Sequence, residues 1–277
     1  LSEVYQKKTD KEHILDNPDT YIGSVENVEG THWIFNENEK KMELRTLEYI
    51  PGLYKLFDEG IVNCRDHVIR MDQKIIDEPD NNHNPVSNID IKIDDDGTIT
   101  MYNDGNGIDI EKHPEYDLWI PEMIFGHLRT STNYNKKEKK IVGGKNGFGF
   151  KLVLIWSTSG SIETVDHVRK LKYTQSFEKN LDIIHPPKIS KSSHKPYTKI
   201  TFKPDYKRFE INNLSENMKK MLIKRVYDIS AVTKKTLKVK LNGSLLTVKT
   251  FPQYVDLYLG STPKIHDDSN KRWEFII

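Results

Sequence analysis

Glu59, Asn63 and Asp66 stand at i, i+4 and i+7 in the stretch Phe57-Asp58-Glu59-Gly60-Ile61-Val62-Asn63-Cys64-Arg65-Asp66, a spacing that puts all three on one side of a helix. Leu53, Leu56, Phe57, Gly60 and Ile61 recur at three- and four-residue steps and mark the other side as core-facing. A polar row on such a helix costs desolvation unless something binds it. A carboxylate four residues before a carboxamide suits a water-orienting base beside a metal-ligating oxygen.

Two glycine-rich stretches follow. Asn103-Asp104-Gly105-Asn106-Gly107-Ile108 comes after an alternating run, Ile89-Asp90-Ile91-Lys92-Ile93, an Asp96-Gly97 turn and Thr98-Ile99-Thr100-Met101-Tyr102, which reads as a hairpin feeding a loop. Gly105 and Gly107 permit positive φ and close approach of a flat ligand, and Asn103 offers an acceptor and donors to a base edge. Gly143-Gly144-Lys145-Asn146-Gly147-Phe148-Gly149-Phe150-Lys151 then runs into apolar Leu152-Val153-Leu154-Ile155-Trp156. Loop amides and a helix start converge there, an arrangement suited to phosphate. The spacing matches neither the P-loop, since Leu152 follows Lys151, nor a dinucleotide fingerprint after a strand. Taken singly, each glycine stretch reads equally as a turn with a surface lysine.

Order and content together change that reading, because the chain resembles the N-terminal ATPase domain of eukaryotic-type type IIA DNA topoisomerases, members of the GHKL ATPase superfamily. The likeness runs through Tyr5-Gln6-Lys7-Lys8-Thr9, Glu12-His13-Ile14-Leu15, Pro18-Asp19-Thr20-Tyr21-Ile22-Gly23-Ser24, Tyr49-Ile50-Pro51-Gly52-Leu53-Tyr54-Lys55, the three stretches above, Tyr254-Val255-Asp256-Leu257-Tyr258-Leu259 and Arg272-Trp273-Glu274. It implies Glu59 as the general base, Asn63 as the magnesium ligand and Asp66 as the third polar residue of the helix motif. Asn103 matches the adenine-reading position, with Gly105, Gly107 and Ile108 in the loop beneath base and ribose. Ser131, Thr132 and Asn133 match a nucleotide-contacting stretch. Gly144, Lys145, Asn146, Gly147, Phe148, Gly149, Phe150 and Lys151 match the phosphate loop, and Thr198 a strand threonine that supports the adenine.

Several positions depart from the family pattern. The helix normally reads Asp-Glu-Ile-Leu-Val-Asn-Ala-Ala-Asp-Asn, whereas Gly60, Cys64, Arg65 and His67 stand in it here. Gly60 should weaken the helix by about 1 kcal/mol relative to alanine. Phe150 replaces a small alanine, and Arg129 stands where leucine is common. Base and metal ligand survive, so the departures bear on nucleotide affinity and point to a divergent source such as a large DNA virus or a protist.

Composition agrees with a folded domain without identifying it: 36% of residues are hydrophobic, 30% charged, and the net charge is +1. That balance does not announce DNA binding, and Lys136-Lys137-Glu138-Lys139-Lys140 and Lys234-Lys235 read more readily as solvated loops. The one cysteine excludes an internal disulfide, and Cys64 reads as a small buried residue. No run of about eighteen apolar residues occurs and no signal-like stretch opens the sequence, so a soluble protein without membrane contact is expected, nuclear or, if viral, in host cytoplasm, viral factory or virion.

Residues 1–24 read as an N-terminal arm with a short helix from Lys11 to Leu15, ended by Asn17-Pro18. Trp33-Ile34-Phe35 and Met42-Glu43-Leu44 read as a hairpin, and Glu78-Pro79-Asp80-Asn81-Asn82-His83-Asn84-Pro85 as a mobile loop. Ser161–Val165, Leu171–Phe177 and Tyr197–Phe202 read as strands. A late helix capped by Asn213 or Ser215 should carry Met218, Met221, Leu222, Val226 and Ile229 as core. The resemblance implies the superfamily's Bergerat fold, an α+β sandwich with a mixed, mostly antiparallel sheet of about eight strands and helices on one face. It places the ATPase domain at 25–245 and the opening of a transducer domain at 246–277.

The function expected from the resemblance is an ATP-operated clamp: ATP and Mg2+ close a homodimer around DNA within the full-length enzyme, and hydrolysis reopens it. The alternative is a nucleotide-binding module with little turnover of its own. A histidine kinase is disfavoured, since no phosphoacceptor helix precedes the site.

Overall fold

The computed structural model describes residues 8–128, 149–270 and 273–277. The N-terminal part holds helices α1 (Asp10–Asp16) and α2 (Pro18–Tyr21), the hairpin strands β1 (Val28–Asn36) and β2 (Lys41–Tyr49), and the long α3 (Pro51–Asp77). Strands β3 (Asn88–Ile93) and β4 (Ile99–Asp104), then helices α4 (Ile120–Gly126) and α5 (Gly149–Ile155), come next. The second half runs β5 (Ser157–Val165), β6 (Leu171–Glu178), β7 (Ile183–Ile184), β8 (Lys188–Lys191), β9 (Tyr197–Pro204), α6 (Glu216–Ala231), β10 (Lys238–Leu241) and β11 (Ser244–Leu245). Helix α7 (Phe251–Leu259) and the short pair β12 (His266–Asp267) and β13 (Phe275–Ile276) close the chain.

Nine strands form one sheet in the order β11-β10-β3-β4-β9-β5-β6-β7, with β8 also paired on β6. The β10–β3 pair is parallel and its neighbours are antiparallel, which makes the mixed, mostly antiparallel α+β sheet that the resemblance implies. Period-two alternation in β3 and β4 turns Ile89, Ile91, Ile93, Ile99 and Met101 to the buried face. Against that face lie α3, α5 and α6, and α3 buries Leu53, Leu56, Phe57, Ile61, Val68 and Met71. The opposite face carries polar residues, among them Glu163, which bridges Lys172 and Lys199 at 2.8 Å each. Among the described residues α3, α5 and α6 thus cover one face of the sheet.

Local signals explain the element ends. Thr9 and Glu12 form a reciprocal capping box on α1, Asn17 ends it, and Pro18 opens α2. Ser215, not Asn213, caps α6, whose Met218, Met221, Leu222, Val226 and Ile229 are all buried. Asn213 instead donates to the Asp95 carbonyl. From Lys8 onward the arm packs on its own chain, with Ile14 and Ile22 in the main core. The hairpin forms a separate two-stranded sheet whose Ile34 and Leu47 pack on Met221. After Val248, the last buried hydrophobic residue, α7 buries no side chain and Ile265, Trp273, Phe275 and Ile277 are exposed.

The polar run at residues 78–85 is a loop as expected, exposed over residues 78–82, and its end is held because His83 and Asn84 hydrogen-bond to Asn106. A polar composition signals solvent exposure only when no buried partner takes up its hydrogen bonds.

Candidate nucleotide site

Helix α3 supplies the polar row as its spacing predicts. Asn63 Nδ2 donates to the Glu59 carbonyl at 2.6 Å, which leaves Asn63 Oδ1 as the free end of the carboxamide. Glu59 pairs with Lys55 at 2.5 Å across one helix turn. Asp66 is buried, with the Arg65 guanidinium 3.9 Å away.

The end of the third glycine stretch meets this row. A methyl group placed on Gly149 would lie 2.6 Å from Glu59 Oε2 and 3.9 Å from Asn63 Nδ2, so glycine lets the start of α5 approach the carboxylate. The next residue turns away. Phe150 packs in the core between Phe125 and Phe202, so only its backbone could serve a ligand. Lys151 is buried, and burial pushes its ammonium down to about 8.

The other end of the site is a polar rung inside the sheet. Asn103 in β4 pairs with Thr198 in β9, which pairs with Thr164 in β5. Thr164 Oγ1 donates to the Tyr197 carbonyl at 2.8 Å, accepts from Ile108 N at 2.9 Å, and lies 3.2 Å from Thr198 Oγ1. Since its own proton is committed to Tyr197, the Thr198 hydroxyl must donate to it. Among isoleucines and methionine on this face, the three side chains form the polar patch that could read a base edge. Thr164 was missed from sequence, where it sits in an ordinary strand pattern, and only cross-strand register reveals it.

Gly105 and Gly107 take φ of +116° and +74° as expected. A methyl on Gly105 would lie 2.7 Å from His67 Nε2 and 3.0 Å from Val86, and one on Gly107 would strike the Val165 carbonyl. His67 thus backs the loop. Its Nε2 has no hydrogen-bond partner among the described residues, and burial, then the charges of Arg70 and Lys74, push the imidazole down to about 3. Arg70, one turn along α3 and also absent from the sequence reading, is itself desolvated. Cys64 is buried with its thiol pushed up to about 12, which leaves it inert. Ser131, Thr132, Asn133, Gly144, Lys145, Asn146, Gly147 and Phe148 lie outside the described residues.

A helical layer on a mixed sheet, with a Glu–Asn helix row facing Gly149 and a polar sheet rung beside the Gly105–Gly107 loop, defines a GHKL-type ATPase domain. Comparison with known proteins carries this further, although no protein-family model matches the chain. The chain is 41% identical over 288 residues to DNA topoisomerase 2 of Arabidopsis thaliana, covering 100% of itself and 19% of that protein. It is 43% identical over 285 residues to DNA topoisomerase 2 of Acanthamoeba polyphaga mimivirus, covering 99% and 21%. The crystal structure of the ATPase region of Saccharomyces cerevisiae topoisomerase II superposes with a TM-score of 0.91 at 43% identity, over 100% of this chain and 71% of that one. The chain belongs to the DNA topoisomerase II family and corresponds to its ATPase region. It spans about a fifth of the length of the curated relatives it matches. Plant and viral relatives are nearly equally similar, so identity does not single out a source.

Proposed function

We propose that this chain binds ATP with magnesium and hydrolyses it, acting as the ATP-operated clamp of a DNA topoisomerase II. The observation that carries the proposal is the approach of Gly149 to the Glu59 carboxylate beside the free Oδ1 of Asn63. A γ-phosphate held at the start of α5 would lie within reach of a water oriented by Glu59, the geometry general-base catalysis requires. Asn103, Thr164 and Thr198 would take the base edge, and Gly105, Gly107 and Ile108 the face of base and ribose.

Magnesium fits this donor set. Among the described residues no group of three or more His, Cys, Asp or Glu could hold a metal ion, so a cation at Asn63 would take oxygens from phosphate and water. Mg2+ characteristically binds in that way. When bound, it neutralises phosphate charge; the chain's part is to offer Asn63 Oδ1 and to keep Glu59 beside it.

In the same reading residues 1–24 are the arm, 25–245 the ATPase domain and 246–277 the start of the transducer. ATP binding closes two copies, and DNA is the partner of the longer enzyme, nuclear or, for a viral source, in the viral factory or virion. Among the described residues no helix is long and apolar enough to cross a membrane. A binding module with little turnover is the second reading. Glu59→Gln decides between them: ATP affinity should persist while hydrolysis, measured on the chain and on the longer protein, falls by about a hundredfold or more. Parental turnover in the variant would remove Glu59 from the chemistry.

A further inference from the structure

The loop from Asp104 to Gly107 is held from behind by a strap, residues 83–88, that belongs to none of the motifs above. Asp104 Oδ1 accepts from Ser87 N at 2.7 Å and Asn88 N at 2.9 Å, and its Oδ2 accepts from the Ser87 hydroxyl. Asn106, 4% exposed, uses both ends of its carboxamide. Its Oδ1 accepts from Asn84 N at 2.7 Å, its Nδ2 donates to His83 Nδ1 at 2.8 Å, and its carbonyl accepts from His167 N at 3.1 Å.

These bonds determine the proton on His83. With Asn106 Oδ1 committed to Asn84, the end facing His83 is an NH2 group, which only donates. His83 Nδ1 must therefore accept, its proton lies on Nε2, and Nε2 donates to Glu78 Oε2 at 2.8 Å. A buried carboxamide satisfied at both ends holds its loop in one arrangement, since any other leaves a polar group unpaired. On the opposite side the loop rests on His67.

We propose that His83 and Asn106 are positioning residues for the nucleoside end of the bound nucleotide, a role that rests on the nucleotide reading above. Among the described residues neither hydrogen-bonds to Glu59, Asn63 or Gly149; their partners are Glu78, Asn84, His167 and each other. Through them the strap keeps the backbone from Gly105 to Gly107 in the shape that meets a base, so their loss should weaken a nucleotide and spare its phosphates.

The test uses the two amides that mimic the two ring nitrogens. His83→Asn keeps an acceptor near the place of Nδ1, and His83→Gln keeps a donor near the place of Nε2. Calorimetric titration of the full chain with ATP and magnesium, and separately with inorganic tripolyphosphate, reads the outcome, with melting temperatures recorded for each variant. Expected is an ATP affinity about tenfold weaker in His83→Gln and in Asn106→Leu, restored to within about threefold of the parent in His83→Asn. Tripolyphosphate affinity should stay within about twofold throughout, because Glu59, Asn63 and Gly149 share no hydrogen-bond partner with the strap among the described residues. Equal ATP affinity in all forms, equal loss in both His83 variants, or parallel loss of tripolyphosphate would each overturn the assignment. A parent that binds tripolyphosphate but not ATP would instead sink the nucleotide reading on which it rests.

Discussion

The thioether of Met101 occupies the space that a side chain on Gly60 would fill, its Sδ closest to the place of a Cβ and its Cε 2.9 Å away, and the ring of Phe150 borders the same space with Cε2 at 3.2 Å. The family pattern has isoleucine at the first position and alanine at the second. The two departures therefore border one space between α3 and α5, which Met101 fills from β4 and the Phe150 ring, packed against Phe125 and Phe202, closes from α5.

Restoring the family pair should show this coupling. Gly60→Ile alone overpacks the contact and should cost about 1–3 kcal/mol, and Phe150→Ala alone leaves a cavity worth about 3–5 kcal/mol. The double variant should be more stable than their sum by at least about 1 kcal/mol, measured by urea unfolding. Strict additivity would show that the two sites do not share one space.

Asn63 offers one oxygen to a cation, so Asn63→Ala should weaken ATP binding by about tenfold in magnesium and by much less in EDTA. The free Oδ1 motivates the expectation. Titration under both conditions checks it, and an unchanged magnesium dependence would exclude Asn63 from the metal site.

Acid stability should report on His67. Its folded value, about 3, lies below the ordinary 6.5, so the unfolded chain takes up the proton first. Stability from this residue is complete above pH 6.5 and is lost as pH falls toward 3. His67→Asn should remove that component and narrow the difference in melting temperature between pH 7 and pH 5. An unchanged difference would mean that His67 titrates normally and is not held neutral beneath Gly105.

Association should depend on nucleotide. Ile14 and Ile22 belong to the chain's own core, and His13 Nδ1 meets the Tyr21 hydroxyl at 3.0 Å, so from Lys8 onward the arm is already engaged. The chain is expected to sediment as a monomer alone and as a dimer with a non-hydrolysable ATP analogue, and removal of residues 1–8 should abolish the dimer. A dimer that forms without nucleotide and survives the truncation would contradict the clamp.

Spacing alone carried Glu59, Asn63 and Asp66 onto one helix side, and alternation alone sent Ile89, Ile91, Ile99 and Met101 inward, because both are periodic properties of a local backbone. The same holds for the turn glycines, whose φ requirements are local, whereas the choice of Ser215 over Asn213 as cap needed the Asp95 carbonyl that takes up Asn213. What joins Asn103 to Thr198 and Thr164 is the register of three strands distant in sequence, and no local period records it. The bonds that hold the strap at residues 83–88 escape the sequence for the same reason: its partners, Asp104 and Asn106, lie on another element. Gly60 likewise reads as a weakness in its helix, and only the packing of β4 and α5 across it shows that Met101 and Phe150 take up the space.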